Sequence, residues 1–139
     1  MGSDALTLLL DTHVLVWSLK DDEQLGAKAR KRIERESARG AVAVSAISFW
    51  EVSLLILRKR VQLSPSGPAL RGHVLGLGVQ ELPVDGAIAE LAGRLSQRHG
   101  DPADCLLVAT ALEHELTLVT ADARLLELGA GLKTLAANR

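Results

Sequence analysis

Residues 6–17 read L-T-L-L-L-D-T-H-V-L-V-W, and the reading of this stretch decides the fold. Residues 6–10 are an almost unbroken apolar run, the pattern of a strand buried on both faces of a parallel sheet. A strand with no solvated face shows where it leaves the core by its first polar residue, here Asp11. Helical spacing resumes at Val14, Leu15 and Trp17, so Asp11 stands between the carboxyl end of a strand and the start of a helix. In open α/β sheets ligands bind at that edge. One aspartate there is equally well explained as a helix N-cap, so the weight falls on whether further acids share the address.

Working outward, the pattern alternates. Residues 12–20 read as a short helix and 26–38 as a polar surface helix stopped by Gly40. Residues 41–44 are a second short strand. A strong helix follows over 45–61, with Ile47, Trp50, Leu54, Leu57 and Val61 on one stripe and Arg58-Lys59-Arg60 complementing the macrodipole at its end. Phe49, Val52, Leu55 and Ile56 make it apolar well beyond that stripe, so a second surface, a helix or another chain, is expected to cover it. The Pro/Ser/Gly-rich 64–68 is a loop too short to link domains. A weak helix over 69–77 and a strand over 79–84 precede a helix over 86–97 capped by Asp85. His99-Gly100-Asp101-Pro102 is a turn and helix start, with Asp101 as N-cap and Pro102 in the first turn. The helix through 105–113 is apolar and rich in small residues. Residues 116–119 form a fourth strand, 122–128 a short helix and 132–135 a possible edge strand. This alternation predicts one α/β domain over 1–139 with a mostly parallel sheet and right-handed crossovers.

Composition narrows the function classes. The chain has 139 residues, enough for a single well-buried core. No apolar run reaches membrane-spanning length, and residues 1–4 carry no basic leader character. A single cysteine, Cys105, excludes an internal disulfide and fits a reducing cytoplasm. The formal charge of −1 argues against a simple polybasic nucleic-acid binder. Basic residues do cluster locally, at 28–39, at 58–60 and at Arg94 and Arg98, but each cluster reads as a solvated helix face. With no Tyr, one Phe and two Trp there is no platform for stacking several bases.

Four acids then stand out. Asp11 and Asp122 each follow an apolar strand, Glu51 lies one turn into the helix after the second strand, and Asp104 lies one turn into the helix capped by Asp101. Each has an ordinary explanation in helix capping; Ser48-Phe49-Trp50-Glu51 even matches a capping box, although Ser45 already stands at the helix start. Together they occupy what read as strand-to-helix transitions, which a parallel sheet places on one edge. Carboxylates gathered without counter-charge raise one another's pKa values, and the usual full solution is a hard divalent cation with oxygen ligands. Such a cation can activate water and stabilise a leaving oxygen, the chemistry of phosphodiester hydrolysis. Thr120 reads first as an ordinary strand-end hydroxyl, one that could hydrogen-bond a carboxylate or a metal-bound water.

The segments L-L-L-D-T-H-V-L-V-W, S-A-I-S-F-W-E-V, D-P-A-D-C-L-L-V-A-T-A-L and L-V-T-A-D, in this order across the chain, resemble the PIN-domain ribonucleases, specifically the VapC-type toxins of type II toxin–antitoxin pairs. The resemblance implies a three-layer α/β/α sandwich, Mg²⁺- or Mn²⁺-dependent endoribonuclease activity on RNA, homodimerisation and inhibition by a cognate antitoxin protein that fills a groove. By position it places the acidic centre on Asp11, Glu51, Asp104 and Asp122, with Asp11 and Asp104 as the main metal ligands and Asp101 and Thr120 as auxiliaries. Many relatives carry Phe and Arg where this chain has Ala103 and Cys105, so a basic residue is expected to be missing beside the site. His13 reads as solvent-facing, Cys105 as a small helix residue, and Trp17 and Trp50 as core or interface.

Other classes fit less well. Aspartyl-phosphate phosphatases need a second Asp where His13 stands, and a receiver-type acid pair would have to lie nearer the first strand than Asp21-Asp22. Dinucleotide binders need a Gly-rich turn that Asp11-Thr12-His13 lacks. The remaining alternative is a PIN-like RNA- or protein-binding domain with little or no catalysis.

Overall fold

The computed structural model describes residues 5–139; the leader reading of residues 1–4 lies outside the described residues. Strand β1 (Leu8–Leu10) is followed by α1 (Thr12–Lys20), α2 (Ala27–Ala38), β2 (Val42–Ser45), α3 (Ala46–Leu57) and α4 (Pro68–Gly76). Then come β3 (Gln80–Leu82), α5 (Gly86–Leu95), α6 (Pro102–Glu113), β4 (Thr117–Thr120), α7 (Ala123–Leu126) and β5 (Lys133–Ala136). All strand pairs are parallel, in the order β3-β2-β1-β4-β5. The apolar run around Leu9 is therefore the central strand, and all three of its residues are buried.

Two cores lie on the two faces of this sheet, because successive strand side chains point to opposite sides. Leu8, Leu10, Val42, Val44 and Val119 face a layer made by α1 to α4, through residues such as Val14, Ile33, Val52 and Val74. Leu9, Ala43 and Leu118 face α5 to α7, through Ile88, Leu107, Val108 and Leu125. The result is a three-layer α/β/α sandwich, as the resemblance implies.

The chain runs from β1 to β3 in one direction along the sheet and then returns to the other side of β1 as β4 and β5. The switch point lies between β1 and β4, where Asp11 and Asp122 leave adjacent strands. A crevice outside the carboxyl ends of the strands forms at such a reversal.

Two expectations about α3 are corrected. The helix ends at Leu57 rather than at residue 61, because Lys59 adopts φ 58°. The Lys59 amide donates to the Ile56 carbonyl (3.0 Å) and the Arg60 amide to Leu55 (2.9 Å), the paired closure of a Schellman motif. The turn brings Val61 and Leu63 back onto the core, so Arg58, Lys59 and Arg60 follow the last turn rather than belong to it. The buried face is also different from the stripe. Ser48 and Val52 are buried, whereas Trp50 and Leu57 are 56% and 77% exposed. The helix packs Phe49, Val52 and Ile56 onto the core and leaves a second apolar side, with Trp50 and Leu57, open.

Candidate active site

Asp11, Glu51, Asp104 and Asp122 line one cleft of about 380 Å³, together with His13, Trp17, Asp101, Ala121 and Arg124. Asp11, Glu51 and Asp122 reach it as expected, from α1, α3 and the turn after β4. Asp104 does not sit at a strand-to-helix transition: α6 follows α5 through a turn. It arrives at the same edge because α6 feeds the amino end of β4 and so runs antiparallel to the strands, starting where they finish.

Local chemistry sorts these acids. Asp11 occupies the N-cap position of α1, yet its carboxylate makes no capping bond. Its Oδ2 instead accepts a 2.6 Å hydrogen bond from the Thr120 hydroxyl, 109 residues away, and Thr120 Oγ1 also receives the Asp122 amide at 3.1 Å. Asp11 is only 8% exposed. Burial holds its carboxyl above the usual aspartate range, against the lowering pull of Thr120 and of His13.

Glu51 is likewise no cap, because Ser45 fills that role by accepting the Ile47 amide. Its Oε1 accepts a 2.5 Å hydrogen bond from Thr12, whose hydroxyl also lies 2.9 Å from that of Ser48. Burial raises the Glu51 carboxyl above its ordinary range; Thr12 opposes the shift, and Asp11, Asp104 and Asp101 add to it.

Asp104 is raised by burial, opposed by a hydrogen bond with His99, and raised further by Asp101 and Asp11. Asp101 is the N-cap of α6 and accepts the Asp104 amide at 3.0 Å, the capping role anticipated for it. Asp122 differs from the other three. Burial pushes its carboxyl up, but the Arg124 guanidinium (3.3 Å) and amide (2.8 Å) together bring it below the usual range.

Three neighbours of the acids are not singled out by the sequence. Thr12 carries a weak signal, a hydroxyl directly after a strand-end acid. His99 carries none, because its bond to Asp104 spans a turn without regular periodicity. Arg124 brings a cation to the cleft from the Asp122 side, while positions 103 and 105 carry no basic residue. Cys105 is buried, its thiol donating to the His99 carbonyl at 3.2 Å. His13 is exposed, as expected, at the mouth of the cleft.

The donor set is made of carboxylates, the ligands a hard cation prefers, and burial makes three of them, Asp11, Glu51 and Asp104, hold protons more tightly than usual, with neighbouring acids adding to the shift. Among the described residues no group of three or more His, Cys, Asp or Glu side chains converges closely enough to enclose an ion. What fits a cation of the Mg²⁺ kind is the all-oxygen chemistry of the donors, since such an ion is commonly held by one or two carboxylates with water and substrate phosphates completing its shell.

Beside the acids lies a second, contiguous hollow of about 420 Å³ that shares His13, Glu51 and Asp101 and is lined by Trp50, Leu54, Leu55, Arg58 and Pro102. Among the described residues no helix is long and apolar enough to cross a membrane.

The sequence profile of the PIN domain matches residues 8–131. The chain is 38% identical over 121 residues to Ribonuclease VapC22 of Mycobacterium tuberculosis, covering 86% of this chain and 89% of that protein. In fold it is similar to DNA-bound VapBC from Salmonella typhimurium, with a TM-score of 0.66 at 22% identity over 94% of this chain and 97% of the other. FitAcB from Neisseria gonorrhoeae gives a TM-score of 0.65 at 25% identity over 94% and 98%.

Proposed function

The chain belongs to the PIN domain family, and from that membership we propose that it is an Mg²⁺- or Mn²⁺-dependent endoribonuclease, the toxin of a toxin–antitoxin pair. The observation that carries this reading is the gathering of Asp11, Glu51, Asp104 and Asp122 in one cleft at the sheet's switch point. The 38% identity to a protein named as a ribonuclease supports the reaction class. The structural likeness to VapBC supports an antitoxin partner.

Asp11 and Asp104 are the carboxylates that would hold the cation, with Glu51 and Asp122 as further ligands where the ion's position allows. When bound, the cation supplies positive charge that acidifies water and stabilises charge building on the phosphate oxygens. The residues do the rest. Thr120 fixes the Asp11 carboxylate by occupying Oδ2. Glu51, held by Thr12 and biased toward binding a proton, accepts one from the attacking water and orients it. Arg124, on the Asp122 side of the cleft, is positioned to meet an RNA phosphate with its guanidinium. Attack of water on phosphorus breaks a P–O bond in the RNA backbone and yields two RNA ends.

The open apolar side of α3, with Trp50 and Leu57 exposed and Leu54 half-buried, borders the second hollow. We assign this surface to antitoxin binding and to homodimer contacts, in a protein working in the cytoplasm.

Asp11→Asn tests the reading. It keeps the shape and one acceptor for Thr120 but removes the charge. RNA cleavage with Mg²⁺ or Mn²⁺ should fall by at least about a hundredfold, in line with the loss of a transition-state charge contact, and growth inhibition on expression should disappear. Cleavage by the folded variant at the wild-type rate overturns the mechanism.

A further inference from the structure

The α5–α6 turn buries a histidine against the one acid of the set that does not follow a strand. His99 is 7% exposed, and its Nε2 lies 2.8 Å from Asp104 Oδ2. An ionised carboxylate only accepts, so whenever Asp104 is charged, His99 Nε2 carries the proton. The backbone that carries the ring is anchored from both ends of the turn. The His99 amide donates to the Leu95 carbonyl at 3.2 Å, closing α5. The Cys105 thiol, in the first turn of α6, donates to the His99 carbonyl. Asp101 meanwhile holds the Asp104 amide. Backbone and one carboxylate oxygen of Asp104 are thus both fixed.

We propose that His99 is a positioning residue: it occupies Asp104 Oδ2 so that Oδ1 is the oxygen presented to a divalent cation in the cleft, in a single orientation. This deepens the reading of Asp104 as a metal-holding carboxylate and rests on it. The logic parallels Thr120 on Asp11. In each case a side-chain donor takes Oδ2, so the two carboxylates would each offer one oxygen to the cation. Losing a partner that orients a ligating group in this way typically costs about 10- to 100-fold in metal affinity. A purely structural histidine would stabilise the turn without affecting what the cleft binds.

The test uses the full chain and Mn²⁺ alone, with free Mn²⁺ followed by electron paramagnetic resonance, so no RNA target is needed. His99→Leu should weaken Mn²⁺ binding about 10- to 100-fold while the metal-free protein still melts cooperatively. His99→Gln, whose amide can still donate toward Asp104, should recover most of the affinity. If His99→Leu fails to melt cooperatively, His99→Asn replaces it, since its amide stops short of Oδ2. In steady-state cleavage of an RNA oligonucleotide at fixed Mn²⁺, the same variants should lower kcat and leave KM for RNA unchanged. Wild-type Mn²⁺ affinity in a folded His99→Leu or His99→Asn, alongside lost affinity in Asp104→Asn, overturns the positioning role. Wild-type affinity in Asp104→Asn instead removes Asp104 from the metal site and takes the parent reading with it.

Discussion

Asp11 is where the conflict between stability and function is sharpest. A buried carboxylate whose folded pKa is raised destabilises the fold once it must ionise, and the sign follows from linkage. Below the ordinary aspartate value, about 4, the group is protonated in both states and contributes nothing. As pH rises from there through the raised folded value the penalty develops, and above that value it is complete. Asp11→Asn removes the penalty while leaving an acceptor for Thr120. In EDTA at pH 7.5 the variant should therefore melt above wild type, by on the order of a few degrees, and the two curves should converge as the pH is lowered toward 4.5. A wild type as stable as the variant at pH 7.5 would mean that burial is not straining this carboxyl. The acids themselves were legible because each is an isolated charge beside an apolar run. Their partners were not: Thr120 meets Asp11 across 109 residues and His99 meets Asp104 across a turn. No local pattern encodes the direction in which such side chains point.

At the scale of elements, the alternation of strand and helix was readable because buried parallel strands are short, continuous apolar runs. β1, β2 and β4 all lie within a residue or two of where the pattern placed them, and α6 was marked by its Asp-Pro start. The helix α3 was misread at its end and on its face for two separate reasons. It is apolar nearly all round, so periodicity could not choose the buried side, and tertiary packing took the side of Ser48 and Val52. Its C-terminus carries lysine where a glycine would have announced the stop. Lys59 adopts φ 58° and leads the chain back toward Val61. A left-handed conformation costs an L-residue about 1–2 kcal/mol, part of which glycine would lose again through its freer unfolded chain. Lys59→Gly should accordingly stabilise the protein by about 0.5–1 kcal/mol, read as a higher urea midpoint at unchanged m-value. A lower midpoint would show that the Lys59 side chain contributes more than the backbone strain it brings.

For the whole molecule, the question is what binds the last strand to the rest, since β5 is an edge strand with one partner. The segment after it crosses the beginning of α2: the Gly26 amide donates to the Ala137 carbonyl at 2.8 Å and the Lys28 amide to the Arg139 carbonyl at 2.9 Å. These satisfy two of the amides that a helix start leaves without intrahelical partners, and Gly26, the N-cap residue, offers no side chain to do so. On the other side the Ala137 amide donates to the carbonyl of Thr120, the residue whose hydroxyl holds Asp11. The clasp thus ties α2, β4 and the chain after β5 together. Gly26 is required by space rather than by conformation, because its φ of −70° suits any residue while an added Cβ would lie 2.3 Å from the Arg139 carbonyl carbon. Gly26→Ala must therefore push residues 137–139 off the helix start. A loss of about 1–3 kcal/mol is expected from overpacking of this kind, with faster amide hydrogen exchange at residues 26 and 28 and at 137. Gly26→Ser should behave the same way despite serine's preference for N-cap positions. Serine would do better than alanine only if the clasp could open cheaply, in which case the hydroxyl would replace the lost carbonyls and exchange at residue 137 alone would rise. The pair of substitutions therefore separates a rigid closure of the sheet's edge from a loose overlay on it.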